Sequence, residues 1–508
     1  MTAPAIAGGP RIILATLNAR WSHCAFGLRY LHANMGELQA QTVIREFTIA
    51  DPPARVAERL LAESPTIIGL GIYIWNRRET EQVIRILKAV APHVLVVIGG
   101  PEPTHAAHDD ALLQSADVTI AGEADLLFRT VCADLLAGRP VAKRVAAPKP
   151  DPATLVMPYE LYTDNDLAHR LIYVEASRGC PFTCEFCLSS IENGVRAFPL
   201  APFLAALDGL LQRGCRTFKF VDRTFNLSPT TATAILRFFQ ERWRDGLFLH
   251  FEMVPDRLPD SVKELLAWFP AGAVQLEIGI QSFTPEVGAL ISRRMDRAKT
   301  AANLEWLRTS TGIHVHADLI VGLPGETPAS FRTSFDALWH MRPGEIQVGI
   351  LKLLPGTPLV RHVVPFAMAF NPEPPYDLLA SQDFPFAEMQ RFKRFARYFE
   401  LYANDGGFSR GLELAIMHGP SASPFDGLLA FSDWLWRTTG QEHQFARPRL
   451  YLLLAEYLDS LGLPIEQVDG ALGADAAEAK CTSLPNRLHA AAERAKREAV
   501  TTVGSIAS

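Results

Sequence analysis

The sequence predicts an α/β protein with a doubly wound parallel sheet, a second series of βα units and a helical C-terminal domain. Apolar strands alternate with helical stretches over residues 1–145 and again over residues 169–360, and such alternation is typical of parallel sheets. Residues 361–508 lack it and carry apolar side chains at helical spacing instead. With 508 residues, 48% of them hydrophobic, the chain is long and apolar enough for about three domains.

The first domain is predicted over residues 1–145. Strands are expected at residues 12–17, 42–47, 66–74, 94–98 and 117–121, and helices at residues 27–39, 53–64 and 78–90. Parallel sheets of this kind bind ligands at the carboxyl ends of their strands. Two of those ends carry glycine turns, Gly99-Gly100-Pro101 and Gly122-Glu123, and glycine lets a backbone approach a ligand closely.

A proline-rich linker is predicted over residues 146–168, because five prolines between residues 140 and 158 disfavour helices and ladders. Six strands follow, at residues 171–176, 217–221, 247–254, 273–280, 314–321 and 345–354. The carboxyl ends of strands are where α/β barrels carry their chemistry. Candidate polar residues fall there: Asp222, Glu252, Glu277, Gln281, Ser282 and Asp318.

The most informative motif is RGCPFTCEFC, which places Cys180, Cys184 and Cys187 in a C-x3-C-x2-C array. Three thiolates can hold three irons of a 4Fe–4S cluster and leave the fourth iron without a protein ligand. Structural zinc normally takes four ligands from two such pairs, and the other four cysteines are solitary. A disulfide framework is also disfavoured, because seven cysteines in 508 residues is an odd, sparse count.

The cysteine array, with Phe186 just before its last cysteine, resembles that of the radical S-adenosylmethionine (SAM) enzymes. The resemblance implies a partial (β/α)6 barrel in which SAM chelates the open iron and is cleaved to a 5′-deoxyadenosyl radical. Gly279–Ser282 followed by Leu290–Arg293 resembles the strand and helix that hold SAM, and Asp318–Gly325 resembles the strand that packs on its adenine. The implied SAM contacts are Phe186, Asp222, Glu252, Glu277, Gln281, Ser282, Arg293, Arg294, Asp318 and Gly322.

The first domain resembles the Rossmann-like cobalamin-binding domain attached to many radical SAM enzymes. The implied cobalamin contacts are Trp75, Asn76, Gly99, Gly100, Pro101, Glu102, Thr104, Gly122 and Glu123. Proteins that place a histidine on cobalt carry a D-x-H-x-x-G motif, and the stretch Trp21–Gly27 departs from it. His23 is therefore expected to be a hydrogen-bonding loop residue, and cobalamin to bind without a protein histidine on cobalt.

These resemblances imply a cobalamin-dependent radical SAM enzyme that methylates a carbon centre of a small molecule or peptide through the 4Fe–4S cluster and methylcobalamin. They assign no catalytic amino-acid residue. Cyclisation or rearrangement by the same radical chemistry is an alternative outcome. A non-catalytic cobalamin or cluster sensor is a second alternative, but a sensor does not need the SAM-binding stretches. The helical region after residue 360 resembles an uncharacterised extension of such proteins and is expected to cap the barrel.

The charge and hydrophobicity of the chain limit the kinds of partner that it is expected to bind. A formal net charge of −6 disfavours a general nucleic-acid-binding surface, and no apolar run approaches the length of a membrane span. The start of the chain lacks the basic region of a signal peptide, so a reduced, cytoplasmic location is expected. A reducing partner such as flavodoxin or ferredoxin is implied by the resemblance.

Overall fold

The computed structural model describes residues 11–191, 194–481 and 483–506 and has two parallel sheets followed by a helical region. The first sheet has the order β2-β1-β3-β4-β5-β6, with every neighbouring pair parallel. Its strands are β1 (Ile12–Asn18), β2 (Thr42–Thr48), β3 (Ile67–Gly71), β4 (Leu95–Gly99), β5 (Val118–Ala121) and β6 (Arg144–Ala146). Its helices are α1 (Phe26–Ala33), α2 (Pro53–Leu61), α3 (Arg77–Val90), α4 (Pro101–His105), α5 (Ala111–Ser115) and α6 (Leu127–Leu136).

This strand order confirms the doubly wound prediction. The chain moves outward in opposite directions from β1, so the strand order reverses between β1 and β3, and ligands bind such sheets at that reversal. All seven residues of β1 are buried, as its continuous apolar run predicts for a strand covered on both faces. The helix predicted at residues 27–39 is interrupted: Gly36 takes a left-handed φ of 54°, and a 3₁₀ turn, Gly36–Gln41, follows it.

The segment between the sheets contains more regular structure than its prolines predicted. Strand β6 of the first sheet extends to residue 146, the first residue of the predicted linker, and a short helix, α7 (Asp164–His169), lies near the end of the segment. Thr163 begins α7 with a capping box, in which its hydroxyl accepts from the Asp166 amide and the Asp166 carboxylate accepts from the Thr163 amide. The linker prediction overlooked these elements because proline density excludes long helices but not short caps and edge strands.

The second sheet contains the six predicted strands in the order β14-β13-β12-β11-β10-β7, all parallel. They are β7 (Ile172–Val174), β10 (Thr217–Phe220), β11 (Phe248–Met253), β12 (Val274–Gln281), β13 (His314–Val321) and β14 (Glu345–Ile350). A two-stranded ladder, β8 (Ser177–Arg178) with β9 (Arg196–Ala197), lies between β7 and β10. The helices are α8 (Leu200–Gln212), α9 (Pro229–Glu241), α10 (Asp260–Leu266), α11 (Pro285–Leu290), α12 (Arg297–Ser310) and α13 (Pro328–Met341). This confirms the predicted partial barrel.

The last region is helical apart from one small hairpin, β15 (Ala369–Phe370) with β16 (Leu378–Ala380), which the sequence did not predict. Its helices are α14 (Phe386–Phe399), α15 (Ser409–Met417), α16 (Pro424–Thr439), α17 (Arg447–Ser460), α18 (Ile465–Glu478) and α19 (Asn486–Ile506). Phe392 and Phe395 of α14 pack on Phe331 and Phe335 of α13, with ring centroids 5.7 and 5.5 Å apart. The region therefore shares its core with the barrel.

No helix in the described part of the chain is both long enough and apolar enough to cross a membrane.

Candidate active site

Polar side chains from three strands converge on one opening, toward the carboxyl ends of β11, β12 and β13. There the cysteine loop closes a cavity of about 240 Å³. Among its lining residues are ten that bear on the predictions: Cys180, Cys184, Phe186, Cys187, Glu252, Glu277, Gln281, Arg293, Arg294 and Asp318. The structure thus brings the three cysteines and seven of the ten predicted SAM contacts to one cavity.

The cysteine loop is held at both ends and in its middle. The pairing of β8 with β9 brings together the two ends of the segment that carries all three cysteines. In the middle, Glu185 is buried, accepts a 2.6 Å hydrogen bond from Ser292 Oγ, lies 2.8 Å from His362 Nε2 and pairs with Arg361. Glu185 was not predicted, although it lies inside the motif, because its partners are far away in sequence. The loop is therefore anchored independently of the thiols.

Arg178, the first residue of the cysteine motif, connects the loop to the first sheet. Its guanidinium lies 2.9 Å from Glu175, 3.0 Å from Glu123 and 2.9 Å from Asp125. Glu123, predicted as a cobalamin contact, also pairs with Arg196 on β9, the strand that pairs with β8. Burial opposes ionisation of Glu123, but the two arginines outweigh it and lower the pKa of this carboxyl. The strand-end turn of the first sheet and the cysteine loop thus form one ion-paired unit.

Arg293 lies beside the cysteine loop. Its Nη1 is 3.5 Å from Cys184 Sγ, and its Nη2 donates to the Gly279 carbonyl. Its Nε is buried without a hydrogen-bond partner among the described residues. Arg294 also lines the cavity. A guanidinium so placed can offer further donors to an anionic ligand.

Replacing Arg293 with glutamine is expected to weaken SAM binding about tenfold to a hundredfold while the iron content stays unchanged. A charge-assisted hydrogen bond to a carboxylate contributes about 1.5–3 kcal/mol. Calorimetric titration with SAM into cluster-loaded protein measures the loss. Arg297→Gln, on the following helix, is the control because Arg297 stacks on Phe283 and does not line the cavity. Unchanged affinity in both Arg293→Gln and Arg294→Gln would show that the SAM carboxylate is held elsewhere.

Three of the carboxyl groups that line the cavity are in different electrostatic states. Glu252 lies 3.0 Å from Arg223, and burial raises its pKa. Glu277 lies 3.3 Å from His250 Nε2, and the hydrogen bond from His250 lowers its pKa. Burial, followed by the charges of Glu277 and Glu252, raises the pKa of Asp318 to about 8. At neutral pH Asp318 therefore keeps its proton and can donate a hydrogen bond.

Two further polar atoms in the cavity have no hydrogen-bond partner among the described residues, Gln281 Oε1 and Asp318 Oδ1. Gln281 also takes a left-handed φ of 71° at the end of β12, a conformation that costs a residue with a Cβ about 1–3 kcal/mol. Buried polar groups are normally satisfied, and unsatisfied groups concentrated with backbone strain are typical of ligand sites. The cavity residues therefore fit a small ligand rich in polar groups, as SAM is.

The other three predicted SAM contacts do not line this cavity. Asp222 is buried and accepts hydrogen bonds from the Ala176 amide at 2.9 Å and Ser177 Oγ at 2.6 Å. Ser282 accepts from the Thr284 amide at 3.2 Å. Gly322 has a φ of 87°, and a Cβ there would lie 2.4 Å from Leu378. In the structure these residues shape the strand ends and the contact with the helical region, and their assignment to SAM stays a prediction.

The predicted cobalamin contacts lie at the carboxyl edge of the first sheet, and several are engaged within the protein. Asn76 is fully buried and donates to Thr16 Oγ1, the Leu17 carbonyl and the Gly71 carbonyl at 3.0–3.2 Å, which fixes the β1/β3 reversal. Trp75 is 46% exposed and stacks on Tyr73, with ring centroids 4.4 Å apart. An exposed, rigidly stacked indole at that edge can cover an extended ring system.

The glycine turns at this edge are tied to each other. Thr104 Oγ1 donates to the Gly100 carbonyl at 2.7 Å and accepts from the Gly122 amide at 3.0 Å. Gly100 has a φ of 109°, and a Cβ there would lie 2.5 Å from the Ile72 carbonyl, so only glycine fits. Gly99 ends β4, and Pro101 opens α4, where its missing N–H costs nothing.

Glu102 joins this edge to the helical region. Its buried carboxylate lies 3.0 Å from Arg77 Nη1 and accepts a 2.7 Å hydrogen bond from Tyr376 Oη. Tyr376 was not predicted, because nothing in the sequence connects residues 274 positions apart. The carboxyl edge of the first sheet is therefore bounded by the cysteine loop and by the helical region.

His23 is a hydrogen-bonding loop residue. Its Nδ1 lies 2.6 Å from Tyr173 Oη, and its carbonyl accepts from Asn18 Nδ2 at 2.9 Å. Burial, the leading cause, lowers its pKa. Through Nδ1 the ring therefore joins the first sheet to β7.

Three family models match successive parts of the chain. The B12 binding domain matches residues 10–131, the Radical SAM superfamily matches residues 174–338, and a protein family of unknown function (DUF4080) matches residues 365–503. The chain thus contains a B12-binding domain and a radical SAM domain.

The chain is also similar to several proteins that are named as methyltransferases. The chain is 26% identical over 330 residues to 2-(S-pantetheinyl)-carbapenam-3-carboxylate methyltransferase of Streptantibioticus cattleyicolor, a match that covers 58% of this chain and 48% of that protein. It is 26% identical over 329 residues to the cobalamin-dependent radical SAM methyltransferase TokK of Streptomyces tokunonensis, covering 58% and 48%. It is 23% identical to bacteriochlorophyllide d C-12(1)-methyltransferase of Chlorobaculum tepidum, covering 68% and 71%. The match spans about half the length of the first two relatives.

Solved structures share the fold. OxsB, a cobalamin-dependent S-adenosylmethionine radical enzyme, aligns with a TM-score of 0.63 at 12% identity over 96% of this chain and 83% of that chain. The radical S-adenosylmethionine methyltransferase TsrM of Kitasatospora setae aligns with a TM-score of 0.55 at 18% identity, over 69% and 75%. These likenesses bear on the fold alone.

Proposed function

We propose, from the radical SAM and B12-binding domains that this chain contains, that it is a cobalamin-dependent radical SAM enzyme which transfers a methyl group to a carbon centre of a small molecule or peptide. The main observation behind the proposal is the cavity that the cysteine loop forms with β11, β12 and β13. The three cysteines, the arginine beside them and the unsatisfied polar groups of β12 and β13 meet there, and the loop is ion-paired to the first sheet. The curated relatives named as methyltransferases support methylation over other radical outcomes.

The residues around the cavity have different roles in the proposed reaction. Cys180, Cys184 and Cys187 would hold the cluster, and Arg293 would bond the SAM carboxylate. When bound, the cluster and SAM supply a carbon-centred radical, and cobalamin supplies a methyl carrier. Glu185 and Arg178 fix the cysteine loop against the barrel and the first sheet. Phe186, which lines the cavity, would help to exclude water from the radical, and we propose that the helical region caps the mouth of the barrel.

Electrons would come from a small reducing protein such as flavodoxin or ferredoxin, because a cluster with one open iron must be reduced before it cleaves SAM. We also propose a cytoplasmic location, which suits three free thiols in a metal-binding loop.

Product analysis tests the proposal. Protein loaded with cluster and cobalamin, given SAM and a chemical reductant, should form both 5′-deoxyadenosine and S-adenosylhomocysteine. Protein prepared without cobalamin should form only 5′-deoxyadenosine. If loaded protein forms 5′-deoxyadenosine alone, the enzyme is a cyclase or a rearrangement enzyme. If it forms neither product, the sensor alternative gains support.

Cobalamin should bind without histidine on cobalt. The electron paramagnetic resonance spectrum of bound cob(II)alamin is expected to show no nitrogen hyperfine splitting from an axial protein ligand, because the stretch around His23 departs from the D-x-H-x-x-G motif. His23→Ala should leave that spectrum unchanged. Tyr173→Phe is the matched control, because it removes the hydroxyl that contacts His23 Nδ1 and keeps the aromatic ring at position 173. Splitting in the wild type that disappears in His23→Ala would contradict this assignment.

A further inference from the structure

The amino-terminal half of the barrel interior is polar where such interiors are normally filled by bulky apolar side chains. On a strand, alternate residues share a face, so Gln275 lies on the same face as the cavity residue Glu277, and His314 and His316 on the same face as Asp318. Glu345 and Gln347 of β14 pair in register with His316 and Asp318. A second layer of polar side chains therefore lies beneath the proposed active site.

Within this layer two histidines face one carboxylate. His314 Nε2 lies 2.9 Å from Glu345 Oε1, and His316 Nε2 lies 3.1 Å from Glu345 Oε2. One ligating atom from each of the three residues can be chosen so that all lie within 4.8 Å of one another. Ligands about 2.0–2.2 Å from a tetrahedral zinc ion are about 3.3 Å apart. The two measured histidine–carboxylate separations, 2.9 and 3.1 Å, are slightly shorter than that value, so an ion requires these side chains to move apart by only a few tenths of an ångström.

The surroundings resemble the outer shell of a metal site. The Gln347 side-chain amide lies 2.7 Å from His316 Nδ1, the nitrogen that remains when Nε2 is a ligand. Such partners fix the orientation of ligating histidines. His314 packs over Gly344, where a Cβ would lie 2.7 Å from its Nδ1, so a larger residue would displace the ring. Gln275 Nε2 lies 2.5 Å from His316 Nε2 and must turn aside as an ion enters.

We propose that His314, His316 and Glu345 bind one divalent transition-metal ion, Zn²⁺ by their ligand set, at the end of the barrel opposite the cysteines. Two imidazoles and one carboxylate form a three-ligand zinc set that leaves one position for water. The His314 side chain is 41% exposed, so the site has an entry path from solvent. Because β14 is an edge strand, an ion there would tie it to β13 and stiffen the barrel.

Zinc binding is measured in the full-length chain carrying Cys180→Ala, Cys184→Ala and Cys187→Ala, since free thiols in the loop would also bind zinc. This background should bind one Zn²⁺ per chain with an increase in melting temperature. His316→Ala should weaken binding by about a hundredfold or more, and Gln347→Leu by about tenfold to a hundredfold. His340→Ala, an exposed histidine on α13, should change nothing.

Glu345→Gln provides a variant of nearly the same shape. It should keep the fold, measured by circular dichroism, and lose the zinc. Equal zinc content in the background protein and in its His316→Ala and Glu345→Gln forms would overturn the proposal, as would a background protein that binds no zinc at all. Because no arm of the experiment needs SAM or cobalamin, its failure would leave the proposed methyl transfer untouched.

Discussion

Replacing Cys180, Cys184 and Cys187 with alanine is expected to abolish the iron content and the cluster absorbance while the protein stays folded. The thiols are the only proposed iron ligands of the loop, whereas its shape depends on Glu185 and on the β8–β9 pairing. Anaerobic purification followed by iron and sulfide analysis measures the loss. All turnover of SAM to 5′-deoxyadenosine should disappear with it.

Cys481→Ala is the matched control, because Cys481 is also partly exposed but lies in the helical region, where its thiol donates to the Ser483 carbonyl at 3.2 Å. Its iron content should equal that of the wild type. Iron that persists in the triple variant would show that the cluster, if present, is held by other residues.

Ending the chain at residue 360 is expected to make the protein aggregate or lose turnover. The deletion removes α14, whose Phe392 and Phe395 are each 1% exposed and pack on α13. Burying one such side chain contributes about 1.5–3 kcal/mol to stability, and this contribution would be lost. The face of α13 that α14 covers would become exposed as an apolar patch, which favours aggregation. The deletion also removes Tyr376 and thereby the hydrogen bond to Glu102 at the edge of the first sheet. Size-exclusion chromatography and product analysis test both effects.

Two point variants distinguish the effect of lost side-chain packing from the effect of deleting the whole region. Phe395→Ala should lower the free energy of unfolding by about 3–5 kcal/mol, the usual cost of a large buried cavity. Phe386→Ala, at the start of the same helix but 58% exposed, should change it little. A soluble truncated chain with wild-type turnover would show that the helical region is an independent module.

Eleven of the twelve strands in the two sheets could be predicted from sequence because their apolar runs are long and their helices intervene regularly. The predicted strand at residues 314–321 agrees with β13 at both ends. The hairpin β15–β16 escaped prediction because its strands are two and three residues long, too short for any periodicity. The strand β6 escaped because it lies among prolines.

The cavity could be predicted in part. Glu252 and Gln281 line it from the carboxyl ends of β11 and β12, and Glu277 and Asp318 from the middle of β12 and β13. Neighbouring parallel strands bring such residues to one side of a sheet. Asp222 also follows a strand, but its carboxylate turns to the backbone of Ala176. Sequence position alone does not distinguish a residue that lines a cavity from one that ties two strands together.

The supports of the cavity could not be predicted. Glu185 appears in the sequence as a loop residue between two cysteines, yet its partners Ser292 and His362 lie 107 and 177 positions away. Arg178 likewise meets Glu123 and Asp125 across a domain boundary. Contacts of this kind depend on the docking of separately predicted units, which one sequence does not specify.

The most direct test of the proposed function follows the methyl group itself. Loaded protein is incubated with SAM deuterated on its methyl group, a reductant, and the small-molecule and peptide fraction of the source organism, and products are examined by mass spectrometry. We expect one compound to gain the deuterated methyl on carbon, and to do so only when cluster and cobalamin are both present. Steady formation of 5′-deoxyadenosine with no labelled compound and no S-adenosylhomocysteine would contradict the assignment as a methyltransferase.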